Sequence, residues 1–161
     1  MIRTAESKQV RMEDLPALAH RLHLEDRKIV TTNGCFDLLH WGHLKYLQDA
    51  RALGDLLICG VNADSSVKGL KGEGRPLVAE GLRALQLAAL ESVDYVVIFS
   101  EPTPNRFLEL IGPAIHVKGG DYLEKALPER EVVEKGGGKV VCLPFVPGLS
   151  TSGLIEKIKH G

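Results

Sequence analysis

The chain has 161 residues, of which 44% are apolar and 25% charged, and its net charge is −1. That size fits one domain with a single well-buried core, and the composition is ordinary for a globular protein. The near-zero charge excludes an overall field for nucleic acid or an anionic membrane, so any anion site must be local.

Met1 to Lys8 lacks the apolar region of a signal peptide, and no apolar run is long enough to span a bilayer. A first helix is expected over about Glu13–Leu24, with Leu15, Leu18, Ala19 and Leu22 on one stripe. His20 and His23 share that helix and read as structural. Residues 1–27 thus form an N-terminal helical extension packed on a domain of residues 28–161. Strand one is expected over Lys28–Thr32, then a helix over about Trp41–Leu53 that buries Leu44 and Leu47 and stops at Gly54. Strand two, Leu56–Asn62, is a near-continuous apolar run suited to burial on both faces. Ala63–Pro76 reads as a polar, glycine-rich loop. A helix over about Ala79–Leu90 follows, with Leu82, Leu85, Ala89 and Leu90 as its apolar positions.

Strand three is expected at Tyr95–Phe99, a short helix at about Pro104–Ile111 and strand four at Ile115–Lys118. A weaker helix over about Leu127–Lys135, strand five at Lys139–Leu143 and a last helix over about Ser152–Lys159 complete the chain. In that last helix Leu154, Ile155 and Ile158 are expected to face inward. Alternation of strands and helices indicates an α/β class: a single Rossmann-like three-layer domain with a five-stranded parallel sheet flanked by helices. Ligands of such sheets bind beyond the carboxyl ends of the strands, at the switch point. Cys35, Cys59 and Cys142 lack CxxC spacing and read as reduced thiols of a cytoplasmic protein, not as a disulfide framework or zinc site.

The segment Thr31-Thr32-Asn33-Gly34-Cys35-Phe36-Asp37-Leu38-Leu39-His40-Trp41-Gly42-His43 carries the strongest chemical signal. It leaves a strand, turns, and brings two histidines to a helix start, where free N–H groups and the helix dipole favour anions. His40 and His43 are three residues apart, so they share a face and can donate to developing phosphate charge. Gly42 removes a side chain where phosphate oxygens would approach. A metal-binding HxxH reading lacks a third ligand. No GxGxxG follows strand one. The glycines of Gly69–Pro76 mimic a P-loop but carry Arg75-Pro76 where Lys-Ser/Thr is required. That loop offers Lys68, Lys71 and Arg75 either as a flap over phosphates or as a solvated basic loop. Ser150-Thr151-Ser152 either caps the last helix or serves an anion. Lys118-Gly119-Gly120-Asp121-Tyr122 is either an ordinary turn or a close seat for a base or sugar. Asp37 either binds hydroxyls or caps the next helix.

Together these pieces resemble the HxGH nucleotidyltransferases, whose signature ends in an S-T-[ST] helix start, over nearly the whole chain from Lys28 onward. Phe36–His43 also resembles the glycerol 3-phosphate cytidylyltransferases. The runs Thr32–Asp37, Leu70-Lys71-Gly72 with Arg75-Pro76, Val117–Tyr122 and Ser150–Ser152 resemble the D-glycero-β-D-manno-heptose 1-phosphate adenylyltransferases instead. That family is often fused to a heptose kinase; the length here implies the stand-alone form.

The resemblance implies transfer of AMP from ATP, with Mg²⁺, to a sugar 1-phosphate, releasing pyrophosphate. It implies His40, His43 and Lys71 as catalytic residues and no metal ligand among the side chains. The nucleotide would meet Cys35, Phe36, Gly42, Asn62, Gly119, Gly120, Asp121, Ser150, Thr151 and Ser152. The acceptor would meet Asp37, Lys68, Arg75 and Arg83. A homodimer is implied by analogy, without nucleic-acid or membrane partners. The family's Asn-Pro-Leu-Glu-Gln-Arg run is replaced by Val78-Ala79-Glu80-Gly81-Leu82-Arg83, which keeps only Arg83. The arginine that cytidylyltransferases carry before S-T-[ST] is absent from Phe145–Leu149. A cytidylyltransferase acting on a polyol phosphate, and a non-catalytic nucleotide sensor on the same fold, are the alternatives.

Overall fold

The computed structural model describes residues 1–120 and 127–161. Five parallel strands form one sheet in the order β3-β2-β1-β4-β5. They are β1 (Ile29–Gly34), β2 (Leu56–Asn62), β3 (Tyr95–Phe99), β4 (Ile115–Gly119) and β5 (Lys139–Leu143). The order reverses between β1 and β4, and open α/β sheets as a class bind ligands in the crevice at such a reversal.

The α-helices are α1 (Leu15–Leu24), α2 (Trp41–Arg51), α3 (Asp64–Lys71), α4 (Glu80–Ala88), α5 (Asn105–Ile111), α6 (Pro128–Lys135) and α7 (Thr151–His160). Successive strand side chains point to opposite faces, and each face has its own core. On one, Val30, Leu57, Cys59, Val61, Val96, Ile115 and Val117 pack against Leu47 and Ala50 of α2 and Ala84, Leu87 and Ala88 of α4. On the other, Ile29, Leu56, Ile58 and Val97 pack against α1, α5 and α6. Every residue of β2 is buried, as a strand covered on both faces requires. The N-terminal segment is tied down by the Lys8 ammonium, which donates to the carbonyls of Leu90 (3.0 Å) and Val93 (2.8 Å).

Several expectations need correction. Ala63–Pro76 is not all loop, because Asp64–Lys71 is the helix α3 with Val67 buried against the sheet. Glycines 69, 72 and 74 hid it; the helix ends at Gly72, whose φ of +101° suits glycine. In α4 the buried stripe is Arg83, Ala84, Leu87 and Ala88, while Leu82 is 58% exposed and Leu85 only half-buried. Leu44 is half-buried rather than core. In α7, Leu154 and Ile155 are half-buried, but Ile158 is exposed, since among the described residues no element covers that end of the helix. No described helix is long and apolar enough to cross a membrane.

Candidate active site

The histidines lie where β1 hands over to α2. His40 is the N-cap of α2 in extended conformation, and its Nδ1 accepts the N–H of Gly42 at 3.1 Å. The His43 Nδ1 accepts the His40 backbone N–H at 3.3 Å, so the two rings form a reciprocal capping box. This fixes their tautomers: a neutral imidazole that accepts at Nδ1 carries its proton on Nε2. The rings are close and tilted, with centroids 3.9 Å apart. Two Nε2–H donors are therefore held side by side without net charge.

At Gly42 the neighbouring imidazole needs the space: a Cβ there would lie 2.8 Å from Cε1 and 2.9 Å from Nδ1 of His40. Phe36 is buried, and its ring meets that of His43 edge to face, with 5.8 Å between centroids. Its φ of +49° is a left-handed conformation uncommon outside glycine, which turns the chain sharply after β1.

Two expected acceptor residues are bound to their own chain. The Asp37 carboxylate accepts Nε of Arg75 (2.8 Å), the N–H of Leu77 (2.9 Å) and the N–H of Val78 (2.9 Å). Burial alone would raise its pKa, but these donors outweigh burial and hold it below the ordinary carboxylate range. Asp37 therefore latches segment 75–78 beside the histidine turn, with Arg75 committed to it through Nε.

Arg83 is corrected more fully. It is 0% exposed and donates Nε to the Val78 carbonyl, Nη1 to the carbonyls of Cys35 (2.6 Å) and Asn62 (2.8 Å), and Nη2 to Asp64 (2.7 Å). One guanidinium thus gathers the turn after β1, the end of β2, the start of α3 and the entry to α4. Asn62 turns its amide to the Ser66 hydroxyl at 2.9 Å, beneath the site rather than into it. Cys35 is half-buried, and burial pushes its thiol pKa up, so it stays protonated and uncharged near neutrality.

Lys68 and Lys71 are exposed on the last turn of α3, with no ion pair among the described residues. Against the burial that raises the Cys35 thiol pKa, the charges of Lys71, Arg83 and Arg75 act to lower it.

The start of α7 meets the start of α2. Thr151 donates its hydroxyl to the Leu38 carbonyl at 3.1 Å, and the Leu149 Cβ lies 3.5 Å from a Cβ built on Gly42. Ser150 is the N-cap and accepts the Gly153 N–H at 2.9 Å, so its hydroxyl oxygen is already engaged by the cap; Ser152 is exposed. Two helix N-termini converge on one spot, and both dipoles favour an anion there. From the other side, β4 brings Gly119 and Gly120 to the same edge, where Gly120 donates its N–H to Leu143 at 2.8 Å. Asp121 lies outside the described residues. Among the described residues no group of three or more His, Cys, Asp and Glu side chains could hold a metal ion.

Burial lowers the His43 pKa to about 4, with His40 adding to the effect, and lowers that of His40. Burial and the Lys118 charge lower His116, in the middle of β4, to about 3. In the unfolded chain such rings titrate near about 6.5. Between that pH and about 4 the unfolded chain binds protons that the folded chain refuses, so stability must fall as pH falls through the window. Melting curves from pH 7 to 4.5 are expected to show a steady drop in Tm; a flat profile would mean that these three rings are not held neutral.

The family model for cytidylyltransferase-like proteins matches residues 31–147. The chain belongs to the cytidylyltransferase-like family. Its fold is that of the nucleotidyltransferases. This family member is 54% identical over 157 residues to the bifunctional protein HldE of Citrifermentans bemidjiense, covering 96% of this chain and 32% of the relative. It is 50% identical to the bifunctional protein HldE of Geotalea uraniireducens, covering 98% of this chain and 32% of the relative. It spans about a third of the length of these curated relatives. Among solved structures, a lipopolysaccharide core biosynthesis protein from Thermoplasma volcanium superposes with a TM-score of 0.60 at 27% identity, covering 74% of this chain and 97% of that one. A pantoate-beta-alanine ligase from Francisella tularensis shares the fold at a TM-score of 0.63 and 11% identity, covering 95% of this chain and 79% of that one.

Proposed function

We propose that this chain transfers AMP from ATP to D-glycero-β-D-manno-heptose 1-phosphate, giving ADP-heptose and pyrophosphate. The observation that carries this reading is the pair of close, tilted, neutral imidazoles, whose Nε2–H groups have no partner among the described residues, between two converging helix N-termini. The heptose acceptor is supported by the Leu70-Lys71-Gly72, Val117–Tyr122 and Ser150–Ser152 runs and by alignment of 96–98% of this chain with about a third of each HldE protein.

The acceptor phosphate is already anionic, so no strong general base is needed, and catalysis is positioning plus charge stabilisation. An acceptor oxygen forms a bond to the α-phosphorus in line as the bond to the bridging oxygen breaks and pyrophosphate leaves. The His40 and His43 Nε2–H groups donate to the α-phosphate and bridging oxygens as charge develops there. Lys71, with Lys68, neutralises the departing pyrophosphate, and the free N–H groups at the start of α7 hold the β- and γ-phosphates. Magnesium would enter with ATP and would shield phosphate charge. The carboxylates bordering the site, Asp37 and Asp64, are each paired to an arginine and do not form a metal cage. The chain acts in the cytoplasm in this reading, as a homodimer.

The run Phe36–His43 and the family description favour a second reading, CTP with a polyol phosphate. A pyrophosphate-release assay separates the two. Release with ATP and heptose 1-phosphate alone supports the first, and release with CTP and glycerol 3-phosphate supports the second. Nucleotide binding without release leaves a sensing module.

A further inference from the structure

Phe145 lies in the connector between β5 and α7 and is 69% exposed, an unusual position for a phenylalanine. Its ring is nevertheless held. The ring presses on the backbone of Gly119 and Gly120: a Cβ on Gly119 would lie 2.9 Å from its Cε1, and a Cβ on Gly120 would collide with its Cε2 and Cζ. Gly120 has a φ of +93° and is pinned to the end of β5 by its N–H bond to Leu143. The two glycines thus form a flat seat, and the occupant of that seat is the chain's own aromatic ring. At its exposure, the opposite side of the ring is open among the described residues.

The position of this ring gives it a use. A Cβ on Gly119 would also lie 3.5 Å from Cε2 of Tyr46, which sits one helical turn beyond His43 on α2. Gly119 thus lies between the Phe145 ring and the helix that carries His43. The connector Pro144–Ser150 then runs from this ring to the start of α7, so one short segment carries a flat apolar surface at one end and an anion-binding helix start at the other. A nucleoside triphosphate has the same order of parts.

We propose that Phe145 is the stacking platform for the nucleobase of the donor nucleotide, its near side supported by Gly119 and Gly120 and its open side receiving the base. The proposal rests on the reading of the histidine turn as the triphosphate site. Stacking on an aromatic face tolerates any base, so Phe145 supplies affinity for the nucleoside half rather than a choice of base.

The test compares ATP with inorganic tripolyphosphate, which has the phosphates but no base, by calorimetry on the full chain in magnesium. Phe145→Ala is expected to weaken ATP binding about tenfold or more, in the range that base–aromatic stacking covers, while tripolyphosphate binds as before. Phe145→Trp is expected to restore ATP binding. Unchanged ATP affinity in Phe145→Ala would overturn the platform while leaving the phosphate site standing, and so would a loss confined to the sugar phosphate acceptor. Equal loss of ATP and tripolyphosphate would show a structural role for the ring and would also overturn it. Failure of the unmodified chain to bind either ligand would overturn the phosphate site itself and the platform with it.

Discussion

His43→Ala is expected to lower kcat for pyrophosphate release at least about a hundredfold in a chain that remains folded. His43 Nδ1 is engaged by the His40 N–H, so the only donor the ring can offer a ligand is Nε2–H. That donor is fixed before the substrate arrives, by the capping box and by the Phe36 ring edge. A preorganised donor of this kind in a site closed to water is worth about 3–4 kcal/mol of transition-state stabilisation. The structural cost is smaller, since the ring accepts one 3.3 Å bond and losing such a cap costs on the order of 1 kcal/mol. Steady-state kinetics beside a melting curve separates the two. Near-normal turnover would remove this imidazole from the chemistry, and an unfolded variant would mean that the cap matters more than the donor.

Arg83→Leu carries the largest expected stability effect. The guanidinium has five N–H groups, and the Val78, Cys35 and Asn62 carbonyls and the Asp64 carboxylate accept from it in a fully buried position. Leucine fills part of the volume but leaves three carbonyls without that donor, and a buried polar group without a partner loses about 1–3 kcal/mol. A total of about 3–5 kcal/mol is expected, typical for breaking a buried charged network. For a chain of this length that lowers Tm by on the order of 10 °C. Arg83→Lys should recover little, because an ammonium cannot reach four acceptors spread around a planar fork. Thermal denaturation of both variants checks this; a Tm within a degree or two of the parent would mean that the cluster is not a structural hub.

Much of the fold was legible because the strands are apolar runs bounded by turn residues. The observed bounds of β2, β3 and β5 are those expected, and β1 and β4 each extend slightly further into their loops. The sheet class followed from alternation, and the histidine turn stood out because a strand, an Asn-Gly turn and a helix start follow one another there. What escaped has physical reasons. α3 was hidden by its glycines and rests on two buried residues, Val67 and Ser66, the latter bonded to Asn62. The α4 stripe was offset because a charged residue, Arg83, occupies a core position, which hydrophobic periodicity cannot represent. Asp37 and Arg75 read as ligand groups because a carboxylate and a guanidinium beside a phosphate-like loop look alike whether they face a substrate or each other. Nothing in the sequence distinguished Phe145, since only the fold lays it on Gly119 and Gly120.

The account rests on a triphosphate held between the starts of α2 and α7 under two imidazoles. The direct measurement is a crystal structure with magnesium and an ATP analogue whose α–β bridge cannot be cleaved. The account predicts the Nε2 atoms of both His40 and His43 within hydrogen-bond distance of α-phosphate or bridging oxygens, with the β- and γ-phosphates at the start of α7. Phosphates bound elsewhere on the sheet edge, or imidazoles turned from them, would contradict it.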